Sequence, residues 1–228
     1  MNSSRRQFTL VLVGLALAPR VLAAGVVDEA IRALRDNLGR VAQVAIARLG
    51  RENGYFGDAR IKIGLPKNFA KADRYLRALG MGGRVDDLIL AMNRAAEAAI
   101  PQLLEAVLDA VRKLPPVDAR VLLSTADGAA SAWFREHSED QLAAKMLPLI
   151  HGVAEQSDLA RAYNALSSKL LKLAGLKSEL ATVEDYVSRK ALDGFYTLIA
   201  AEEHALRALP NKHATGVFGL RVERAKVF

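Results

Sequence analysis

Three polar residues interrupt an otherwise apolar helical stretch and are the first candidates for chemistry. Asn93, Arg94 and Glu97 lie in an alanine-rich run that ends at Pro101. Spacings of three and four residues place all three side chains on one face of a helix. A buried carboxylate must be paired or neutralised, because desolvating it alone costs several kcal/mol. The pattern therefore predicts either a structural ion pair of Arg94 or a set of groups that orients the polar head of a ligand.

A second polar set lies in the last predicted helix. Lys190 and Asp193 are three residues apart, and we place Glu202 on the apolar stripe of the same helix. Arg94 could bridge Glu97 or Glu202, or these groups could line a cavity that opens beside Arg94 and Glu202. We predict no catalytic residue. The residues predicted to bind a ligand are Asn93, Arg94, Glu97, Lys190, Asp193 and Glu202.

Residues for metal or nucleophilic chemistry are missing from the sequence. The four histidines include no pair four residues apart, and none has a Glu three residues before it, as carboxylate-histidine metal bundles require. The chain has no cysteine, so it has neither disulfides nor thiolates. It also has no Gly-x-Ser-x-Gly motif and no nucleotide-binding glycine loop. We therefore predict no metal and no cofactor.

Helical periodicity defines the elements that position these residues. Apolar residues recur every three or four positions. The predicted helices span residues 26–49, 68–79, 84–114, 118–123, 127–136, 139–155, 157–173 and 182–209. Pro101 predicts a kink or a split of its helix and Pro148 predicts a kink, because proline removes a backbone donor inside a helix. Ser138 with Gln141 predicts a capping box, and Thr182 with Asp185 predicts the cap of the last helix.

One short segment departs from the helical pattern. Residues 60–66 alternate polar and apolar side chains, which predicts an extended conformation. The segment either lies as an irregular strap across the helices or makes a minor two-stranded pairing with residues 218–222, which alternate in the same way. The predicted fold class is all-α: a single multi-helix domain with kinked helices and one short extended segment.

The first 24 residues predict a cleavable export signal. Ser4-Arg5-Arg6-Gln7-Phe8 has the paired arginines and the aromatic residue of a twin-arginine signal. The apolar run at 9–18 is too short to span a bilayer stably. Thr9-Leu10 follows the Phe where Leu-Lys is usual, so the general secretory route stays open as an alternative. We predict a periplasmic helical domain at 25–228, with no transmembrane span once the signal is removed.

Composition limits the classes of partner. Of 228 residues, 51% are hydrophobic and 25% charged, as in globular proteins. The formal net charge is +7, and removing the three arginines of the signal leaves 29 basic and 25 acidic side chains, a charge of +4. This mild basicity suits anionic partners such as lipid headgroups. It is too small for a nucleic-acid-binding surface.

Several short motifs occur in a characteristic order and spacing. They are Asn53–Gly57, Ile61–Pro66, Met92–Glu97, Asp118-Ala119, Ala132–Arg135, Tyr163-Asn164, Tyr186-Val187, Lys190–Phe195 and Glu202-Glu203. On these motifs the chain resembles the bacterial "domain of unknown function 4197" family over nearly all of the mature chain. The resemblance implies an exported helical protein without an established activity, so it transfers no catalytic residue. Trp133 stands where relatives tend to have Tyr.

Three hypotheses on function follow. The leading one is a periplasmic, non-enzymatic helical protein that binds an apolar or amphipathic ligand such as a lipid. The first alternative is a protein-protein interaction or scaffold module of the envelope, which contacts a partner through Tyr55, Phe56 and the tail 218–228. The second is a hydrolase that uses Glu97 or Glu202 as a general base, which requires a raised carboxylate pKa in a pocket.

Overall fold

The computed structural model describes residues 8–115, 128–157, 159–164, 166 and 182–208. Within these ranges the chain is helical and contains no strand, which confirms the all-α class. The elements are α1 (Phe8–Leu49), α2 (Lys67–Ala78), α3 (Gly82–Ala99), a 3₁₀ turn (Ile100–Leu103), α4 (Leu104–Lys113), α5 (Ala129–Gln156) and α6 (Val183–Ala208). Residues 159–164 are also helical. The helix predicted at 118–123, most of the one predicted at 157–173 and the tail 218–228 lie outside the described residues.

Helix α1 extends the predicted first helix towards the N-terminus. It begins at Phe8 and continues without a break past residue 24, the predicted end of the signal. The apolar residues Leu34, Leu38 and Ala45 of this helix are buried, whereas Val44 is 57% exposed. No helix among the described residues combines the length and apolar character needed to cross a membrane.

Prolines act differently at the two positions where kinks are predicted. At Pro101 the helix changes: α3 ends at Ala99, a 3₁₀ turn follows, and α4 begins at Leu104. This confirms the predicted split. Pro148 instead lies inside the continuous α-helix α5.

The helices predicted at 127–136 and 139–155 are one helix, so the capping box at Ser138 is wrong. The Ser138 hydroxyl donates to the carbonyl of Phe134, four residues earlier in the same helix, at 2.6 Å. It also contacts the Tyr196 hydroxyl on α6 at 2.8 Å. A serine bonded in this way is compatible with a helix interior, and the buried partner on α6 explains its place there.

The cap of the last helix is confirmed. The Thr182 backbone N–H donates to the Asp185 carboxylate at 3.1 Å, and the Asp185 N–H donates to the Thr182 hydroxyl at 3.2 Å. From this start α6 packs along α5, with the rings of Phe134, Phe195 and Tyr196 in contact. Helices α2, α5 and α6 surround α3, and α1 packs against α4 and α6. This arrangement places the polar face of α3 beside the chain that follows α1.

Candidate functional site

Glu97 holds the loop that joins α1 to α2. Its side chain is buried, with the residue 4% exposed. Its Oε1 accepts hydrogen bonds from the backbone N–H groups of Tyr55 at 3.0 Å and Phe56 at 3.1 Å, and its Oε2 accepts one from Arg94. Three donors satisfy the buried carboxylate. Of the two ion pairs proposed for Arg94, the one with Glu97 forms.

Arg94 fixes the same loop from its outer side. Its guanidinium donates to the Glu52 carboxylate at 3.1 Å and to the Asn53 side-chain oxygen at 2.9 Å. Asn53 has a φ of 64°, the left-handed conformation that asparagine tolerates in turns. A Cβ on the next residue, Gly54, would lie 2.3 Å from the Leu49 carbonyl oxygen, so only glycine fits there. The loop motif is thus a tight turn locked onto α3.

Asn93 holds the segment after this loop. Its side-chain oxygen accepts from the Ile63 N–H at 2.9 Å, and its side-chain nitrogen donates to the Ile63 carbonyl at 2.8 Å. These bonds imitate the pairing of a neighbouring strand. Ile61 and Ile63 are buried and Lys62 is exposed, so the predicted alternation persists without a strand. Within the described residues the segment is the irregular strap; residues 218–222 of the alternative pairing lie outside them.

Tyr55 fills the space between α3 and α6. It is fully buried, and its hydroxyl donates to the Ala191 carbonyl at 2.8 Å. Burial, and secondarily the charge of Glu97, raises the pKa of Tyr55 well above its usual value. The ring lies against Gly194, where a Cβ would be 2.7 Å from Tyr55 Cε1. The expectation that Tyr55 is an exposed partner contact is therefore wrong, because the loop folds inwards.

Lys190 and Asp193 belong to a different cluster, between α5 and α6. The Asp193 carboxylate accepts from Lys190 at 3.0 Å and from Arg135 at 2.8 Å, and Arg135 also binds Glu139 at 2.7 Å. Burial opposes ionisation of Asp193, but the hydrogen bonds from Lys190 and Arg135 outweigh it, so its pKa is lowered. These residues form a half-exposed ion network that ties two helices together.

The buried carboxylate of α6 is Glu203, one residue after the predicted Glu202. Glu203 is 0% exposed, and it accepts from the backbone N–H groups of Ala130 at 3.3 Å and Ser131 at 2.8 Å. It therefore caps the N-terminus of α5, where free N–H groups and the helix dipole favour an anion. Spacing could have revealed it, because Glu203 follows the buried Phe195 and Ile199 at four-residue intervals.

Glu202 is only half-buried. The pKa of Arg60 is raised, first by its hydrogen bond and ion pair with Asp58 and last by the charge of Glu202. Glu202 does not line the groove along α3 that Arg94 borders. Among the described residues, no three His, Asp or Glu side chains are grouped as a metal ion would require.

An open groove of about 720 Å³ runs along a neighbouring side of α3, and Arg94 lies at the border between the two sides. The second half of α5 and the helical residues 159–164 form its other wall. Apolar side chains make up its floor: Leu90, Ala91, Ala95, Ala98, Val153 and Ala162. Arg84, Asp87, Arg94 and Arg161 stand around it. Arg94 is the only predicted ligand-binding residue that lines this groove.

Comparison with known proteins identifies one family. The sequence model of a family described as a protein of unknown function, DUF4197, matches residues 26–219. No curated protein and no solved structure matches the chain.

Proposed function

The chain belongs to the DUF4197 family of proteins of unknown function, and we propose that it is an exported, non-enzymatic protein that binds a single-chain anionic amphiphile in the groove beside α3. The observation that carries this proposal is the apolar floor of the groove with basic side chains around it. The ligand class is the one expected from the sequence, but the site lies along a neighbouring side of α3 and not between α3 and α6.

The floor of the groove suits a hydrocarbon chain. The volume of the groove, about 720 Å³, is within the usual range of small-molecule sites. Arg84 and Ala98 mark its ends on α3, about 21 Å apart at 1.5 Å per residue. One leaflet of a bilayer has a hydrocarbon thickness of about 15 Å, so an acyl chain and a headgroup fit along this length. The alanines of α3 keep the groove open.

The charges around the groove favour an anionic headgroup. Three arginines and one aspartate line it. Arg94 is already held by Glu97, Glu52 and Asn53. Arg84 is exposed and makes no ion pair with another described residue. We infer that Arg84 contacts the headgroup.

Export supports the choice of ligand class. The twin arginines and the short apolar run predict a periplasmic location, where membrane amphiphiles are accessible to a water-soluble carrier. The geometry supports the two alternative functions, a hydrolase and an envelope scaffold, less well. Both Glu97 oxygens already accept hydrogen bonds, which disfavours a role as general base, and Tyr55 is not available to a scaffold partner.

Titration calorimetry with lysophosphatidylglycerol below its micelle concentration tests the proposal. This probe has one acyl chain and one phosphate. We expect saturable binding of one molecule per full-length chain. Ala98→Trp places an indole in the groove and is expected to weaken binding at least tenfold. Arg84→Gln is expected to weaken it about two- to fivefold, as for an exposed charge pair.

Ala144→Trp is the matched control, because Ala144 is exposed on α5 and does not line the groove. Its affinity should equal that of the unsubstituted chain. A monoacylglycerol of the same chain length tests the headgroup and should bind more weakly. The absence of saturable binding, or equal affinity in Ala98→Trp and Ala144→Trp, would refute the proposed site.

A further inference from the structure

A second cavity, between α1 and α4, is lined by four arginines. Its volume is about 710 Å³. Arg32, Arg35 and Arg40 come from α1, and Arg112 comes from the last turn of α4. Asp36 is the acidic residue among those that line the cavity. Asp109 lies 3.8 Å from Arg112 but 2.7 Å from Lys113. Four positive side chains and one negative side chain line the cavity and leave it basic.

Most of these arginines lack a carboxylate partner. Arg32 and Arg35 make no ion pair with a described residue, and Arg40 donates to the neutral side-chain oxygen of Asn37. Elsewhere in the described chain, arginines such as Arg48, Arg60, Arg77 and Arg135 are paired with Asp or Glu. Unpaired like charges that converge on a concave surface repel each other and raise the local concentration of anions.

Arg35 is the anchored member of the group. Its Nη2 donates to the Leu114 carbonyl at the end of α4, which holds the guanidinium between the two helices. Its Nε is buried and has no acceptor among the described residues. A buried donor without a partner is destabilising. Anion binding beside Arg35 would lower the electrostatic cost of keeping this guanidinium between the helices.

The shape of the cavity leaves room for a compact group beside the α1 backbone. Gly39 lies on its wall, and a Cβ there would meet only the Leu108 side chain, at 3.9 Å. A guanidinium binds the oxygens of a phosphate through two parallel N–H donors. We propose that the cavity between α1 and α4 binds a phosphate-bearing anion, held by Arg32, Arg35, Arg40 and Arg112. This site is separate from the amphiphile groove and does not depend on it.

Binding of inorganic pyrophosphate to the full-length chain is the first arm of the test, measured by calorimetry. The double variant Arg32→Gln/Arg40→Gln is expected to bind at least tenfold more weakly, because it loses two charge-assisted contacts. Arg35 is left unchanged, since its bond to Leu114 supports the helix pair. Arg74→Gln is the matched control: Arg74 is exposed on α2 and lines neither cavity. It should bind like the unsubstituted chain.

Vesicles provide the second arm and separate a lipid headgroup from a dissolved anion. Co-sedimentation with equimolar phosphatidylcholine and phosphatidylglycerol is compared with phosphatidylcholine alone. Binding in either arm that weakens in the double variant and not in Arg74→Gln supports the site, and the arm that responds identifies the source. Ala98→Trp, which fills the groove, should leave anion binding unchanged. The test of the anion site is therefore independent of the groove. No binding in both arms, or equal loss in Arg74→Gln, would overturn the inference.

Discussion

Polar residues within the apolar helices of this protein bind backbone groups of distant segments. Asn93 pairs with Ile63, Glu97 with the N–H groups of Tyr55 and Phe56, and Glu203 with the start of α5. Each side chain replaces hydrogen bonds that irregular backbone would otherwise make with water. This satisfies buried polar groups where no regular secondary structure does so.

Replacing Glu97 with alanine should strongly destabilise the fold. The change leaves the backbone N–H groups of Tyr55 and Phe56 without their acceptor, and each buried group left unsatisfied costs about 1–3 kcal/mol. Glu97→Gln should cost less, because an amide oxygen can still accept from the loop. Urea unfolding measures both free energies. A loss below about 1 kcal/mol in Glu97→Ala would show that the loop does not depend on this carboxylate.

Asp58 should make the stability of the loop dependent on pH in acid. Its hydrogen bond with Arg60 lowers the pKa of Asp58 from 3.8 to about 2. A lowered folded-state pKa stabilises the protein above pH 4, and this contribution is lost as the pH falls from about 4 to about 2. The stability difference between the unsubstituted chain and Asp58→Asn should shrink over this range in urea titrations. A constant difference would contradict the assignment.

The sequence predicts that Asn93, Arg94 and Glu97 act together. It does not predict that they bind the loop and strap that follow α1. Spacing alone placed Asn93, Arg94 and Glu97 on one helix face, because helical geometry is local. Their partners lie more than 25 positions away in an irregular segment, so periodicity could not distinguish a ligand from the protein's own loop. The sequence does not single out Glu203, because the apolar stripe predicted for α6 includes its neighbour Glu202 instead.

At the scale of elements, helix ends were predictable where local signals act alone. The cap at Thr182 and the break at Pro101 both depend on residues within one turn. The prediction of two helices in place of α5 was wrong. It depended on Ser138, because serine is a residue type that commonly caps helices. Its burial against Tyr196 on α6, a long-range contact, decides the outcome.

Glu203 and Glu202 offer a matched pair for testing how α5 begins. Glu203→Ala leaves the N–H groups of Ala130 and Ser131 without their carboxylate, which should cost about 1–3 kcal/mol. Glu202→Ala removes a half-buried side chain and should change the free energy of unfolding by less than about 0.5 kcal/mol. Chemical denaturation of both variants measures the difference. Equal effects would contradict the capping role of Glu203.

Two helical glycines should respond in opposite directions to alanine. In Gly194→Ala the new Cβ would clash with the buried ring of Tyr55, at a cost of about 1–3 kcal/mol. In Gly152→Ala on α5 nothing lies within 4 Å, so the better helix propensity should stabilise by about 0.5–1 kcal/mol. Thermal unfolding of the two variants compares them. Stabilisation by Gly194→Ala would show that α6 does not approach the loop this closely.

At the scale of the whole molecule, the interior polar residues maintain the fold, and the candidate binding sites lie on the surface. The space between α3 and α6 is filled by the loop and strap after α1, so the polar motifs there maintain the fold. Two open cavities remain on the outside of the described structure, one apolar with basic sides and one lined by arginines. Of their lining residues, Arg94 alone is predicted to bind a ligand, because each cavity is formed by helices that meet only in the folded chain.

Native mass spectrometry of the protein purified from cells, with lipid analysis of the same sample, tests whether the groove holds an amphiphile. We expect an adduct with the mass of a single-chain anionic amphiphile on the unsubstituted chain and on Ala144→Trp. The adduct should be lost in Ala98→Trp. A clean unliganded mass for the unsubstituted chain, with no amphiphile in its extract, would show that the protein is not an amphiphile carrier.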